Sequence, residues 1–348
     1  MRAGSFPASD SPPTDATPAC ISLKPMDRFD GIEFHDHHTK ANDFLEVVLR
    51  GLTDEPKWIP PKFFYDKRGS ELFERITRLS EYYATRTEIA ILRDCAGEIA
   101  DLVGCDSLLI EYGSGSSNKV GILLDALQGD VTYVAIDISR QHLVESCEQL
   151  AGSYPRLEVI AVCADYSTPF PLPTPKRGTP QNKLVFFPGS TIGNFSPGQA
   201  VSFLANTARQ IGTGGSLLIG VDLKKDEKLL HAAYNDSEQV TAAFNLNLLE
   251  RINQEFDADF DLSAFSHRAF YNTERGRIEM HIVSLKPQVV SLNGASIRFV
   301  KSETIHTENS YKFSIGEFQR LAKQSGFEPV KVWTDPQGLF SLHYLTAK

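Results

Sequence analysis

Residues 108–119, Leu-Leu-Ile-Glu-Tyr-Gly-Ser-Gly-Ser-Ser-Asn-Lys, are the stretch whose residue types and spacing are best suited to chemistry. An apolar run ends in the acid Glu111, a turn follows through Gly113, Ser114 and Gly115, and residues 120–127 then read as a helix. A strand that breaks into a helix through two glycines lets the backbone come close to a ligand, because no Cβ intervenes. The helix N-terminus adds positive potential. An adenosine-type ligand fits such a cradle. Asp137 closes the next apolar run about 20 residues beyond the loop, where a carboxylate accepts hydrogen bonds from ribose hydroxyls. Asp165 ends the third run, beside the position of an adenine edge, and Lys119 could reach a carboxylate on the ligand.

The spacing separates two cofactor classes. A dinucleotide fingerprint needs G-x-G-x-x-G, and the third position here is Asn118, which disfavours a nicotinamide dehydrogenase. The start Glu111-x-Gly113-x-Gly115 instead resembles the first motif of S-adenosylmethionine-dependent methyltransferases. No G-x-S-x-G motif occurs between Gly189 and Gly193, so an esterase is excluded.

The pattern also supplies elements to position these groups. Apolar runs at 131–136, 157–162, 183–187 and 216–221 follow the first strand, separated by helical stretches such as 139–151 and one opened by Pro197. Five strands alternating with helices predict a mostly parallel sheet covered on both faces. Upstream, 41–51 reads as a helix stopped by Gly51, and Pro60-Pro61 as an extended segment. Ser70 reads as the N-cap of a helix bearing Leu72, Phe73, Ile76 and Leu79, and Thr87 as the cap of another. Past residue 224 the rhythm changes. Residues 225–233 and 238–256 read as helices, and Phe270, Ile278, Met280, Ile282, Ile297 and Phe299 lie in strand-like stretches. A helix at 315–325 and a hairpin of 330–333 with 340–345, turning at Pro336-Gln337-Gly338, restore the α/β style.

At 348 residues the chain can bury a large core in one or two domains. Its 41% hydrophobic and 23% charged content is ordinary for a globular protein. A net charge of −9 without a Lys/Arg cluster argues against a nucleic-acid partner. No apolar run reaches the roughly 20 residues of a membrane span. Residues 1–40 begin rich in Ser, Pro, Asp and Thr, without the features of a signal peptide, and are expected to form a disordered tail of a cytoplasmic protein. The scattered Cys20, Cys95, Cys105, Cys147 and Cys163 suit reduced thiols, and no metal is expected. His35, Asp36, His37 and His38 have ligand chemistry, but adjacent residues do not converge on one ion, and the run is expected to be solvated.

A more specific resemblance rests on several segments. Phe64-Tyr65-Asp66-x-x-Gly69-Ser70, Glu81-Tyr82-Tyr83-x-Thr85-Arg86-Thr87-Glu88 and Gly189-Ser190-Thr191-Ile192-Gly193-Asn194 are similar, in this order, to segments of the histidine-specific Nα-methyltransferases. So are Tyr234-x-Asp236, Val240-Thr241-Ala242-Ala243-Phe244-Asn245 and Ile278-Glu279-Met280. That family makes trimethylated histidine, hercynine, for ergothioneine biosynthesis. The similarity covers residues 41–348. It implies a class I, Rossmann-like methyltransferase fold with a mostly parallel sheet and a second, discontinuous substrate-binding domain. Residues 41–86 plus 225–312 would bind histidine, and 87–224 plus 313–348 would bind S-adenosylmethionine. The expected substrate is the small molecule L-histidine, acted on by a monomer with no nucleic-acid or membrane partner.

Carried onto this chain, the resemblance places Tyr65, Tyr82, Gly189, Asn194 and Tyr234 around the amino and carboxylate groups. The types fit, since phenol O–H and amide N–H groups donate to a carboxylate and Asn194 Oδ1 can accept from an amine. Taken singly, a tyrosine more often packs in a core with its hydroxyl satisfied, and Tyr82 and Tyr83 cannot both face one core. Glu308, Ser310 and Met280 are implied at the imidazole. A buried carboxylate that reads a ring N–H penalises amino acids lacking that donor; without the resemblance Glu308 reads as a solvated loop acid. Gly113, Ser114, Gly115, Lys119, Asp137 and Asp165 would hold the methyl donor. Tyr65 and Asn194 would position the amine, and no side chain stands out as a general base. The alternatives are an N-methyltransferase of tryptophan or tyrosine, and a non-catalytic S-adenosylmethionine sensor, which the intact clamp disfavours.

Overall fold

The protein's computed structural model describes residues 28–29, 32–37, 42–115 and 117–348. A nine-stranded sheet forms its centre. Ile32–Asp36, Glu158–Cys163, Val131–Asp137, Ser107–Tyr112, Asn182–Phe187 and Ser216–Asp222 lie side by side in that order, all parallel. Phe340–Ala347 and then Phe327–Thr334 continue the sheet antiparallel, which is the expected hairpin. Both faces are covered, so the strands read as unbroken apolar runs. Leu109, Tyr133, Ala135 and Phe186 face one core, with the helices Tyr83–Val103, Ser117–Ala126 and Arg140–Ser153. Ile110, Val134, Ile136 and Val185 face the other, under Pro197–Ile211 and Ile315–Gln324.

The strand order fixes where a ligand goes. Ser107–Tyr112 is flanked by the second strand of the α/β run, Val131–Asp137, on one side and by Asn182–Phe187 on the other. The chain therefore reverses its direction of travel there, and a crevice opens beyond the carboxyl ends at that point. Gly113 leaves one wall of the crevice and Gly189 the other.

A second layer stands over this edge. Lys57–Trp58, Thr304–Tyr311, Arg277–Ser284 and Phe265–Asn272 form a four-stranded sheet. The helices Lys67–Ile76 and Val240–Phe256 pack beside it through aromatic pairs such as Phe73–Phe244, with ring centroids 5.9 Å apart. Among the described residues no helix is long and apolar enough to cross a membrane.

Five local expectations are corrected. Within the anticipated tail, Ile32–Asp36 is a sheet strand with Arg28–Phe29 antiparallel on its outer side as the ninth strand, held because Ile32 and Phe34 alternate into the core. His35 accordingly is not solvated: it is half-buried and bonded to Glu33 at 2.8 Å; His38 lies outside the described residues, as do residues 1–27. Asp66, not Ser70, caps the helix Lys67–Ile76, accepting the Gly69 N–H at 2.7 Å. Thr87 caps nothing, because the helix already starts at Tyr83 and the Thr87 hydroxyl donates back to the Tyr83 carbonyl. Pro61–Phe64 is a short 3-10 turn rather than an extended segment.

Candidate active site at the carboxyl edge of the sheet

A cleft of about 800 Å³ opens where the two layers meet, a size ordinary for a small-molecule site. Gly113 takes a positive φ of +75°, which glycine adopts without strain. The loop does not present its first N–H groups to a ligand, contrary to expectation. Gly113 and Ser114 donate to the Ile136 carbonyl, and Gly115 to the Gly113 carbonyl, folding the loop onto the second strand. What the glycines provide is room.

The groups that remain suit a nucleoside. Asp137 faces the cleft with one oxygen accepting the Ser139 N–H at 2.8 Å, and burial pushes its carboxyl above the usual aspartate range. Such a carboxylate gains from hydroxyl donors. The Ser114 hydroxyl, expected to hold the methyl donor, is buried outside the cleft lining, without a partner among the described residues. Asp165 resists the effect of burial through hydrogen bonds from Ser167 and Lys62, which hold it below the ordinary range. Tyr166 and Ile138 give the same wall an apolar surface. Glu111 sits at the floor, its carboxyl raised to about 8 by burial while the Tyr133 hydroxyl donates to it at 2.5 Å. Hydroxyl acceptors and an apolar wall together fit S-adenosylmethionine.

Lys119 lines the cleft with its charge paired: its ammonium is bound at 2.5 Å by Glu88, which is fully buried. The same carboxylate accepts the Gly189 N–H through both oxygens, at 2.9 and 3.0 Å. Gly189 therefore contributes no donor to a substrate, and its part in the amino-acid clamp reduces to its carbonyl and missing side chain. Glu88 was quoted in a motif but given no role, because a charged residue in a helix reads as solvent-facing.

On the opposite wall Tyr65, Tyr82, Asn194 and Glu308 line the one cleft. None of their polar heads has a hydrogen-bond partner among the described residues. Burial raises the phenols of Tyr65 and Tyr82 well above the ordinary tyrosine range, so both are neutral donors. Glu308 is not a loop acid. It lies in the strand Thr304–Tyr311, where an irregularity opposite Met280 and His281 breaks the strict alternation. Thr307 anchors that irregularity by donating to the Met280 carbonyl and to Asn245 Oδ1. Burial raises Glu308 to about 7, against the opposing pull of Lys312.

The remaining implied contacts are placed differently. Met280 lies across from Glu308 but is a core residue, 2% exposed, and does not line the cleft. Tyr234 and Ser310 line a small adjoining cavity that shares Tyr82 and Gly189 with the cleft, and the Tyr234 hydroxyl donates to Ser310 Oγ at 2.8 Å. Behind them lies a buried charge cluster that the sequence did not announce. Asp222 accepts from Tyr83, Lys225 and Lys312. Tyr82 and Tyr83 do turn apart, the first to the cleft and the second to Asp222.

Glu279, His281 and His306 also approach one another. The two imidazoles stack with planes 14° apart, so their in-plane lone pairs do not converge, and Arg277 already occupies Glu279. That arrangement is a packed ion pair.

Gly193 joins the two layers. A Cβ there would lie 2.8 Å from the Tyr311 carbonyl oxygen and 3.1 Å from its nitrogen, backbone atoms that cannot swing aside. Gly193→Ala is expected to push Asn194 away from Ser310 and cost about 1–3 kcal/mol of stability. Steady-state kinetics should show the amino-acid KM rising about tenfold with methyl-donor affinity retained. Unchanged KM would mean the layers adjust freely.

Comparison with known proteins agrees with this geometry. Residues 44–347 match the profile of a family described as histidine-specific, S-adenosylmethionine-dependent methyltransferases. A histidine N-alpha-methyltransferase of Mycolicibacterium smegmatis is 41% identical over 301 residues, covering 85% of this chain and 92% of that protein. Ergothioneine biosynthesis protein 1 of Neurospora crassa is 32% identical, covering 81% of this chain but 32% of its own length. A 4-dimethylallyltryptophan N-methyltransferase of Claviceps purpurea is 29% identical, covering 87% and 94%.

Proposed function

The chain belongs to the histidine-specific, S-adenosylmethionine-dependent methyltransferase family, and from that premise we propose that it transfers three methyl groups to the α-amino nitrogen of L-histidine, giving hercynine for ergothioneine biosynthesis. The observation that carries the substrate assignment is Glu308: a carboxyl facing the cleft, short of a hydrogen-bond partner, among neutral phenols. An imidazole N–H supplies what it lacks. Phenylalanine offers no donor, and tryptophan offers one N–H on a larger ring.

S-adenosylmethionine supplies an already activated methyl group when bound, so the protein's work is alignment and exclusion of water. Asp137 and Asp165 would hold the nucleoside, with Tyr166 and Ile138 against its base. Glu308 holds the far end of the histidine. Asn194 Oδ1 accepts from the amine, and the Tyr65 and Tyr82 hydroxyls are the donors within the same wall. Gripping the two ends leaves the nitrogen lightly held, so it can turn between transfers. The quaternary product finds the faces of Tyr65 and Tyr82, worth about 0.5–2 kcal/mol to a cation. Residues 41–86 plus 225–312 would form the histidine-binding part of this scheme, and 87–224 plus 313–348 the methyl-donor part.

The test is incubation of the purified protein with methyl donor and an amino-acid mixture. Mass spectrometry should find histidine gaining three methyl groups. Equal or faster methylation of tryptophan or tyrosine would replace the substrate, and binding of donor without product would leave a sensor.

A further inference from the structure

The α-carboxylate of an amino acid entering this cleft needs a positive partner, because a buried carboxylate without one is strongly disfavoured. The hydroxyls and amide facing the cleft carry no charge, Lys119 and Lys62 are paired with Glu88 and Asp165, and the arginines that line it, Arg50, Arg78 and Arg86, are solvent-exposed and screened. The buried cluster behind Tyr234 does carry charge. Its single carboxylate, Asp222, lies between two ammonium groups, Lys225 and Lys312, the latter at 2.7 Å. One carboxylate against two ammoniums leaves a surplus of one positive charge. Both ammonium side chains are almost fully enclosed, at 5% and 1% exposure, so solvent does not screen that surplus.

The surplus is wired toward the cleft. Lys312 Nζ donates to Ser310 Oγ at 2.8 Å and to the Tyr234 hydroxyl oxygen at 3.3 Å. With Asp222 these contacts use all its N–H groups, so Lys312 acts through its neighbours. One hydroxyl proton bridges Tyr234 and Ser310, which leaves the pair one O–H to give, and a hydroxyl pair that accepts from an ammonium is a stronger donor. Tyr234 stands beside Tyr82, ring centroids 6.4 Å apart, at the boundary between the small cavity and the cleft.

We propose that Lys312 is a positioning residue for the substrate's α-carboxylate, delivering the surplus charge of the Lys225–Asp222–Lys312 cluster through the Tyr234–Ser310 hydroxyl pair. The inference rests on the reading of L-histidine as substrate. Glu308 is the other acid near enough to feel Lys312, and it reads the opposite end of the molecule. A ligand that keeps the imidazole and amine but loses the carboxylate charge separates the two roles.

L-Histidinamide is that ligand. Its affinity and that of L-histidine are measured by calorimetry on the intact protein with S-adenosylhomocysteine present. The wild type is expected to prefer histidine by about 10- to 100-fold. Lys312→Met should weaken histidine about 10-fold or more while changing histidinamide less than about 2-fold, and Lys312→Arg should restore most of the preference. Equal losses for both ligands would show that Lys312 is merely structural or serves Glu308, and would overturn the proposal. Lys312→Gln, which keeps a donor without the charge, replaces the Met variant should that fail to fold. Equal affinity of the wild type for the two ligands would overturn the proposal with no variant at all. Failure to methylate histidine, with the binding preference intact, would instead strike the proposed reaction.

Discussion

Glu308→Ala is expected to lower kcat/KM for histidine by about 10- to 150-fold, the cost of about 1.5–3 kcal/mol for a lost hydrogen bond to a charged group. The loss should fall on histidine binding, while S-adenosylhomocysteine affinity stays as in the wild type. The pH profile gives an independent check. Glu308 titrates at about 7 because burial disfavours its charge. Below that pH it is a neutral acid and accepts an imidazole N–H poorly; above it, it is a carboxylate. Wild-type kcat/KM should therefore rise with pH through about 7, and Glu308→Gln should remove that rise. Stability runs the other way. A carboxyl raised from 4.5 to about 7 binds its proton more tightly in the folded chain, so folded stability declines as pH climbs through that interval. The ligand-free Gln variant should accordingly melt higher than the wild type above pH 7. An unchanged histidine affinity, with the inflection still present in Glu308→Gln, would remove Glu308 from the substrate site.

Asp137→Ala is the second large effect. Loss of the acceptor for two ribose hydroxyls should weaken S-adenosylhomocysteine by about 10- to 100-fold, read by calorimetric titration. Histidine turnover at saturating donor should recover. Stability should hold or rise, because burial has pushed the Asp137 carboxyl upward and its removal relieves that penalty. A variant that keeps full donor affinity would place the ribose elsewhere in the cleft.

The two halves of the site differ in how far they could be read beforehand. Gly113, Asp137 and Asp165 sit at or just past the ends of apolar runs, and a parallel strand's carboxyl end is visible in the sequence as the place where such a run stops. The hairpin Phe327–Thr334 with Phe340–Ala347 was legible for the same reason, with Pro336-Gln337-Gly338 marking the turn. Capping was less legible. Asp66 and Ser70 are both good caps, and choosing between them required knowing that Gly69 lies against the Phe64 carbonyl, where a Cβ would fall 1.7 Å away. The strand Ile32–Asp36 was hidden by the polar run around it, although Ile32 and Phe34 already alternate.

Residue type and motif order determined the chemistry of this protein: a βα cradle for a nucleoside, an acid for an imidazole, phenols and an amide for an amino acid. Those are local properties, written in spacing. Tertiary structure decided which of the named groups are free to act. The Gly189 N–H and the charge of Lys119 are paired with Glu88, a residue from a distant helix. Asp222 and Lys312, ninety positions apart in the chain, meet with Lys225 in a buried pocket where two ammoniums face one carboxylate. Hydrogen-bond donors can be used only a limited number of times, and a charge gains its full strength only when water is excluded. Both conditions depend on what packs alongside, which no stretch of sequence contains.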